Sequence, residues 1–173
     1  FPDALKPLLT GACLIALPKP EAAEDDVRPI SIGETLRRLG GKLAVKSVKS
    51  ETKKIFGKLQ LGVREPLSVE RTHHFLRKAL RKLKKGKVIT ILDIPNAFNA
   101  MLRAIIVAKT HQHLPELLPF LEWLCWLNSG APTLFLCDSG KMILSMRGIM
   151  QGDPLGTPLF ALGIHPLVKA LDK

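Results

Sequence analysis

The sequence predicts an α+β fold in which helices pack on a small antiparallel sheet. Three observations predict it: two short extended runs near the start joined by an acidic turn, long stretches of helical apolar periodicity through the middle, and a Gly-containing hairpin pattern at 133–145. With 173 residues, 46% of them hydrophobic and 24% charged, the chain carries enough apolar material for a core.

The first extended run is TGACLIALPKP (10–20), which closes on proline, and the second is VRPISIG (27–33). The acidic turn EAAEDD (21–26) between them makes a hairpin the natural reading. In ETLRRLGGKLAVKSVKSETKK (34–54), Leu36, Leu39, Leu43 and Val48 recur at helical spacing while most of the basic residues fall elsewhere on the wheel. Gly40 and Gly41 weaken that helix and mark the close approach of another backbone. The run 68–86 places Val69, Leu76, Ala79, Leu80 and Leu83 on one face opposite a dense basic face. Ser68 suits its N-cap and Gly86 its C-terminal cap.

VITIL (88–92) is β-branched, apolar and short, the pattern of a buried central strand, so Asp93 sits where that strand ends. Residues 97–110 and 115–128 read as helices, and TLFLC, DSG and KMILS as a hairpin with a three-residue loop. Asp153 followed by Pro154 is a local helix start, and that helix is interrupted or ended near Pro166.

Composition excludes several classes. No apolar run reaches the roughly 18 to 20 residues of a membrane span. The most apolar stretch, LPELLPFLEWLCWL (114–127), contains Glu116, Glu122 and two prolines and reads as a buried helix. The chain opens on Phe1 without a signal-peptide pattern, and it reads as a piece excised from something longer. Cys13, Cys125 and Cys137 are too scattered for a disulfide framework or paired zinc spacing, which points to an intracellular protein with free thiols, nucleus and cytoplasm both open. The histidines read as solvated or helix-terminal residues rather than metal ligands, since no Cys or carboxylate joins them at ligand spacing.

Charge is concentrated. Between Arg37 and Lys87, 17 Lys and Arg stand against three Glu, a local charge of +14 out of a total of +11, so the remainder is slightly acidic. A solvated basic face is one explanation and a polyanionic partner the other; a strip this rich favours nucleic acid, and the few aromatics favour phosphate contact over base stacking.

Taken alone, Asp93 is either a catalytic carboxylate or a helix N-cap, and Phe98 either a gate or a core residue. Five blocks in order change the balance: LPKP (17–20), RPISIGETLRRL (28–39), QLGV (60–63), DIPNAFN (93–99) and GIMQGDPLGTPLF (148–160). Together they make the chain resemble a reverse transcriptase, most similar to the RNA-directed DNA polymerases of non-LTR retroelements, over nearly its whole length. The resemblance implies right-hand polymerase fingers at 1–86 and a palm segment at 87–112. It also implies a helix and hairpin returning between them at 113–147 and a palm turn and helix at 148–173, with the rest of the palm and the thumb beyond this chain.

By position, Asp93 matches the first catalytic aspartate, which with the Ile94 carbonyl holds Mg²⁺ in such enzymes. Two ions are implied, with Mn²⁺ as an alternative. Phe98 matches the gate against a ribose 2′-hydroxyl. Lys19 and Arg28 match the grip on the incoming triphosphate, and Gln151 with Gly152 the turn beside nucleotide and template. Arg37, Arg38, Lys42, Arg77 and Arg81 are assigned to phosphates of an RNA template and DNA primer. Deoxynucleoside triphosphates are the implied substrates; no membrane partner is implied, and oligomeric state stays open. The sequence departs from the family in one respect that governs mechanism: no aspartate pair follows Asp93, since Asp138, Asp153 and Asp172 stand alone. Two metal ions about 3.5 to 4 Å apart need carboxylates on both sides. The alternatives are therefore a polymerase fragment inactive alone, a degenerate nucleic-acid-binding scaffold, and a basic α+β domain whose partner is protein.

Overall fold

The apolar run after Gly11 forms strand β1 (Ala12–Pro18), which pairs antiparallel with β2 (Val27–Gly33) from Ala12 opposite Gly33 to Pro18 opposite Val27. This computed structural model describes residues 4, 9–18, 27–63, 66–120 and 132–172, so the turn 21–26 and Lys19 lie outside the described residues. The second expected hairpin is also present: β3 (Thr133–Leu136) and β4 (Met142–Leu144) are antiparallel, with Gly140 at φ +64° in the turn. The two hairpins join through β1 and β3, which run parallel, giving the order β2-β1-β3-β4. The sheet is thus mixed rather than antiparallel throughout. More than a hundred residues, many of them helical, separate β1 from β3, and a parallel pair needs such a crossover.

That pairing also corrects the expectation of free thiols. Cys13 in β1 and Cys137 just past β3 are disulfide-bonded, with Cα atoms 6.0 Å apart. Strand register brings them together across 124 residues of sequence. Cys125 lies outside the described residues.

The helix expected at 34–54 is two helices, α1 (Thr35–Ser47) and α2 (Lys49–Phe56), broken at Val48. Their buried face also differs from the leucine stripe. Leu36, Leu39 and Leu43 are 53–68% exposed, while Arg37, Gly41 and Val45 face inward. The reason lies in what α1 meets. A Cβ on Gly41 would stand 3.5 Å from the Pro154 side chain, and one on Gly40 would stand 3.1 Å from the Phe120 ring. The neighbours of both glycines are side chains, not another backbone: Gly40 makes room for the Phe120 ring, while a Cβ on Gly41 would make ordinary contact with Pro154.

Helix α3 (Ser68–Arg81) contains no buried residue. It starts after Leu67, which is left-handed at φ 54°. Ser68 is therefore the first helical residue rather than the cap, its carbonyl accepting from Thr72 Oγ1 at 2.8 Å. Lys82, not Gly86, ends it. Val69, Leu80 and Leu83 of the expected apolar face are exposed. The central strand expected at 88–92 does not form, and Val88, Ile91 and Leu92 are 71–83% exposed. A strand exists only through its ladder, and no described strand runs beside this segment.

The next helical pattern splits into α4 (Ala97–Ala100) and α5 (Arg103–His113), because Met101 and Leu102 adopt extended backbone. A 3₁₀ turn, Pro115–Leu117, follows, and the helix expected over 115–128 is helical at 118–120 and beyond that lies outside the described residues. The last helix, α6 (Gly156–Leu171), passes through Pro166 instead of stopping there. Burial holds it on course: Leu159, Leu162 and His165 face the core.

That core is formed by α1, α2, α5 and α6, where Val45, Val48, Leu114, Leu117, Leu155 and Leu162 are at most 1% exposed. Burying each large aliphatic side chain stabilises the fold by roughly 1.5–3 kcal/mol. His165 is also 1% exposed. Gln60 Nε2 lies 2.9 Å from His165 Nδ1 and donates to the Ala161 carbonyl at 3.1 Å, which fixes the amide orientation. His165 Nδ1 is therefore an acceptor, its proton sits on Nε2, and Nε2 has no hydrogen-bond partner among the described residues. Burial first, then the charges of Lys169 and His113, lowers its pKa; burial, then Lys109 and Lys169, does the same to His113.

Candidate functional site

Three segments far apart in sequence meet beside the end of the β1–β2 hairpin where β1 finishes and β2 begins. The first is the start of β2, where Arg28 and Pro29 stand. The second is 93–99, bent by Asn96 at φ 50°, a left-handed conformation that Asn tolerates better than most residues. The Asn96 carbonyl then accepts from Ala100 N at 2.9 Å and starts α4. The third is the turn 148–153.

Backbone contacts join the three. Ile149 N donates to the Phe98 carbonyl at 2.9 Å, and Ser31 N donates to the Gln151 carbonyl at 2.7 Å. Two glycines make this approach sterically allowed. Gly148 has φ +80°, and a Cβ there would overlap the Asn99 backbone; Gly152 has φ +116°, and a Cβ there would stand 2.5 Å from the Ser31 carbonyl oxygen. The Phe98 ring is stacked on Phe160 of α6, with centroids 5.0 Å apart and planes 20° from parallel. It presents a fixed face.

Side chains brace the same turn. Arg103 Nε donates to the Gly148 carbonyl at 3.0 Å, and its Nη2 donates to the Ser145 carbonyl at 3.1 Å and to Ser145 Oγ at 3.0 Å, bracketing residues 146 and 147. Asp153 accepts from Leu155 N at 2.9 Å through Oδ1 and from Arg37 Nη2 at 3.1 Å through Oδ2. The Asp153 cap thus holds the turn that leads into α6, which begins two residues later than the sequence pattern suggests.

These contacts enclose a cavity of about 650 Å³ lined by Arg28, Asp93, Ile94, Phe98, Asn99 and Gln151, with Val27, Pro29 and 95–97 completing the wall. A smaller cavity of about 340 Å³ shares Val27, Pro29, Asn96 and Asn99 with it and adds Ala100 and Arg147. Five of the sequence-predicted site residues therefore share one cavity: Arg28, Asp93, Ile94, Phe98 and Gln151. Gly152 adjoins it through the Ser31 contact, and Lys19 lies outside the described residues.

The residues assigned to nucleic acid divide. Arg38 and Lys42 are exposed on α1, and Arg77 and Arg81 on α3, where with His74, Lys78 and Lys82 they line a groove of about 600 Å³. Arg37 is different. It is 5% exposed, bonded to Asp153, and its Nη1 donates to the Thr10 carbonyl at 3.4 Å, so it is withdrawn from any phosphate backbone. Sequence reading assigned it by charge, and the buried partner 116 residues away had no local signal.

As a metal site the described residues are incomplete. Asp93 is the one carboxylate among those lining the cavity, Asp153 is committed to Arg37, and no group of three His, Cys, Asp or Glu able to hold an ion occurs among the described residues. One carboxylate and the Ile94 carbonyl fall short of a two-ion Mg²⁺ site. Among the described residues, no helix is long and apolar enough to cross a membrane.

Sequence reasoning missed Arg103, Asn99, Arg147 and Ser31. Arg103 closes the block ILDIPNAFNAMLR and carried a faint signal, the lone cation of a block whose other charge is Asp93. Ser31 acts through its backbone, which no residue type announces.

No protein-family profile matches the chain. Over 96 residues, 54% of its length, the chain is 32% identical to the retrovirus-related Pol polyprotein from type-1 retrotransposable element R2 of Nasonia vitripennis, and it spans 9% of that protein. This likeness supports a retroelement-related origin for the chain.

Proposed function

We propose that the chain is the fingers and partial palm of an RNA-directed DNA polymerase of non-LTR retroelement type, and that its cavity receives the incoming deoxynucleoside triphosphate. The observation that carries this reading is the convergence of Arg28, Asp93, Phe98 and Gln151 on one cavity from three separate segments. Each has a task there. Arg28, exposed at the start of β2, offers a forked cation to the triphosphate. The Phe98 ring, stacked on Phe160, is stiff enough to reject one extra hydroxyl. Asp93 would supply one hard oxygen ligand for Mg²⁺, which would offset phosphate charge. The exposed cations of α1 and α3 track template and primer phosphates.

A second reading is a non-catalytic nucleic-acid-binding scaffold, favoured by the single carboxylate among the described cavity residues. Calorimetric titration of the chain with dTTP and Mg²⁺ tests the first reading. Binding is expected, with Arg28→Ala abolishing it and Phe98→Ala narrowing the preference over UTP; no binding to the unaltered chain would sink the assignment of the cavity. Primer extension by the full parent gene product separates the readings, because a scaffold binds primer and template without extending them.

A further inference from the structure

Charge alone assigns Arg37 to the polyanion surface together with Arg38, yet the two adjacent residues face opposite ways. Arg38 is exposed, whereas the Arg37 side chain is 6% exposed and that of its partner Asp153 is 10% exposed. From geometry, we infer that Arg37 and Asp153 are positioning residues, a buried tie that fixes the 151–153 turn against α1 and β2 and so sets where Gln151 stands in the cavity. This inference rests on the reading of the cavity as a nucleotide site.

The tie acts on the turn itself. Its backbone is held from β2 by the Ser31 amide on the Gln151 carbonyl, at 2.7 Å. Upstream, Ile149 N on the Phe98 carbonyl and Arg103 on the Gly148 carbonyl hold the same turn, which leaves its downstream half to be fixed. The downstream attachment is the ion pair, two residues past Gln151, where Arg37 Nη2 meets Asp153 Oδ2 at 3.1 Å while Nη1 reaches the Thr10 carbonyl just before β1. One guanidinium thereby links the entry to β1, helix α1 and the turn, which a point-charge ammonium could not do with the same fork. Asp153 Oδ1 simultaneously accepts from Leu155 N, so the same carboxylate orients the entry to α6, whose Phe160 backs the Phe98 ring. Pro154, next to Asp153, packs against Gly41 of the same helix. Breaking half of a buried pair strands a charge, whereas neutralising both partners does not.

The decisive variant is therefore R37M/D153N in the whole chain, because Asn keeps an oxygen for Leu155 N while the ion pair is lost. Three measurements read the outcome: amide hydrogen exchange at Ser31, affinity for dTTP with Mg²⁺, and the salt dependence of binding to a primer–template duplex. Exchange at Ser31 is expected to accelerate by about tenfold or more, and dTTP affinity to fall by about tenfold, with the salt slope unchanged. A salt slope reduced by about one with Ser31 protection intact would make Arg37 a phosphate contact and overturn the inference. Unchanged Ser31 exchange overturns it as well. If the unaltered chain binds no dTTP, the nucleotide reading fails by itself, while Ser31 exchange still decides the tie. Should the double variant not fold, Arg37→Lys, which keeps a cation without the fork, carries the same readouts with an intermediate acceleration expected.

Discussion

Around the cavity, backbones from three segments touch at Gly148 and Gly152 and are braced by Arg103 and by a buried ion pair. Along α3, fourteen residues form a regular helix with a strongly segregated apolar stripe, and none of them is buried. The first region has weak local signals and dense long-range contacts; the second has strong local signals and few such contacts. Periodicity thus announces a helix without saying whether its apolar face finds a cover, and a site can assemble from segments whose own patterns are faint.

The comparison can be broken or sharpened by substitution. On the proposed polymerase reading, the largest effect should come from Asp93→Ala, which is expected to abolish incorporation by the full gene product while template affinity stays nearly intact; primer extension beside filter binding checks both, and unchanged extension refutes the carboxylate's role. Next comes the core behind the cavity. Leu162→Ala, at a fully buried position, should cost about 2–5 kcal/mol in urea unfolding. Leu80→Ala, on the exposed stripe of α3, should stay within about 0.5 kcal/mol, and equal losses would show that α3 is packed in solution.

Two glycines offer a finer contrast. Gly152→Ala meets both a positive φ and the Ser31 carbonyl, so about 1–3 kcal/mol of strain is expected together with weakened dTTP binding. Gly86→Ala has φ +81° and open space around it, so a cost of about 1 kcal/mol without a binding defect is expected. On α3 itself, Arg77→Ala and Arg81→Ala should each flatten the salt slope of primer–template binding by about one, uniformly across sequences.

The smallest effect concerns pH. His165 has a folded pKa lowered by burial from its ordinary value of 6.5, so the unfolded chain takes up the proton more readily. Stability present above about pH 6.5 is therefore lost as pH falls from there toward the folded value. His165→Phe should flatten that decline in chemical denaturation curves collected across the interval, and an unaltered slope would assign it elsewhere.

Much of the architecture was legible where a signal is local. Both hairpins follow from strand-length runs and their turn residues, and the cavity residues from short ordered motifs. What stayed hidden depends on partners. VITIL has every property of a central strand except a neighbour to pair with among the described residues. The leucines of α1 give the right period but the wrong face, because Gly41 and Arg37 had tertiary partners near residue 153. Cys13 and Cys137 became close only through a parallel register that neither segment encodes by itself. In the site, Asp93 and Phe98 were readable as types in a motif, whereas Ser31 contributes only its main chain.

The Arg37–Asp153 pair has a consequence for how such a chain can change over generations. A single substitution at either position leaves an ionised group sealed without its counterpart, an intermediate heavily disfavoured by desolvation. Drift at these two sites, 116 residues apart, is therefore expected to be correlated. Lineages should carry both residues or neither, while the exposed Arg38 next door varies independently.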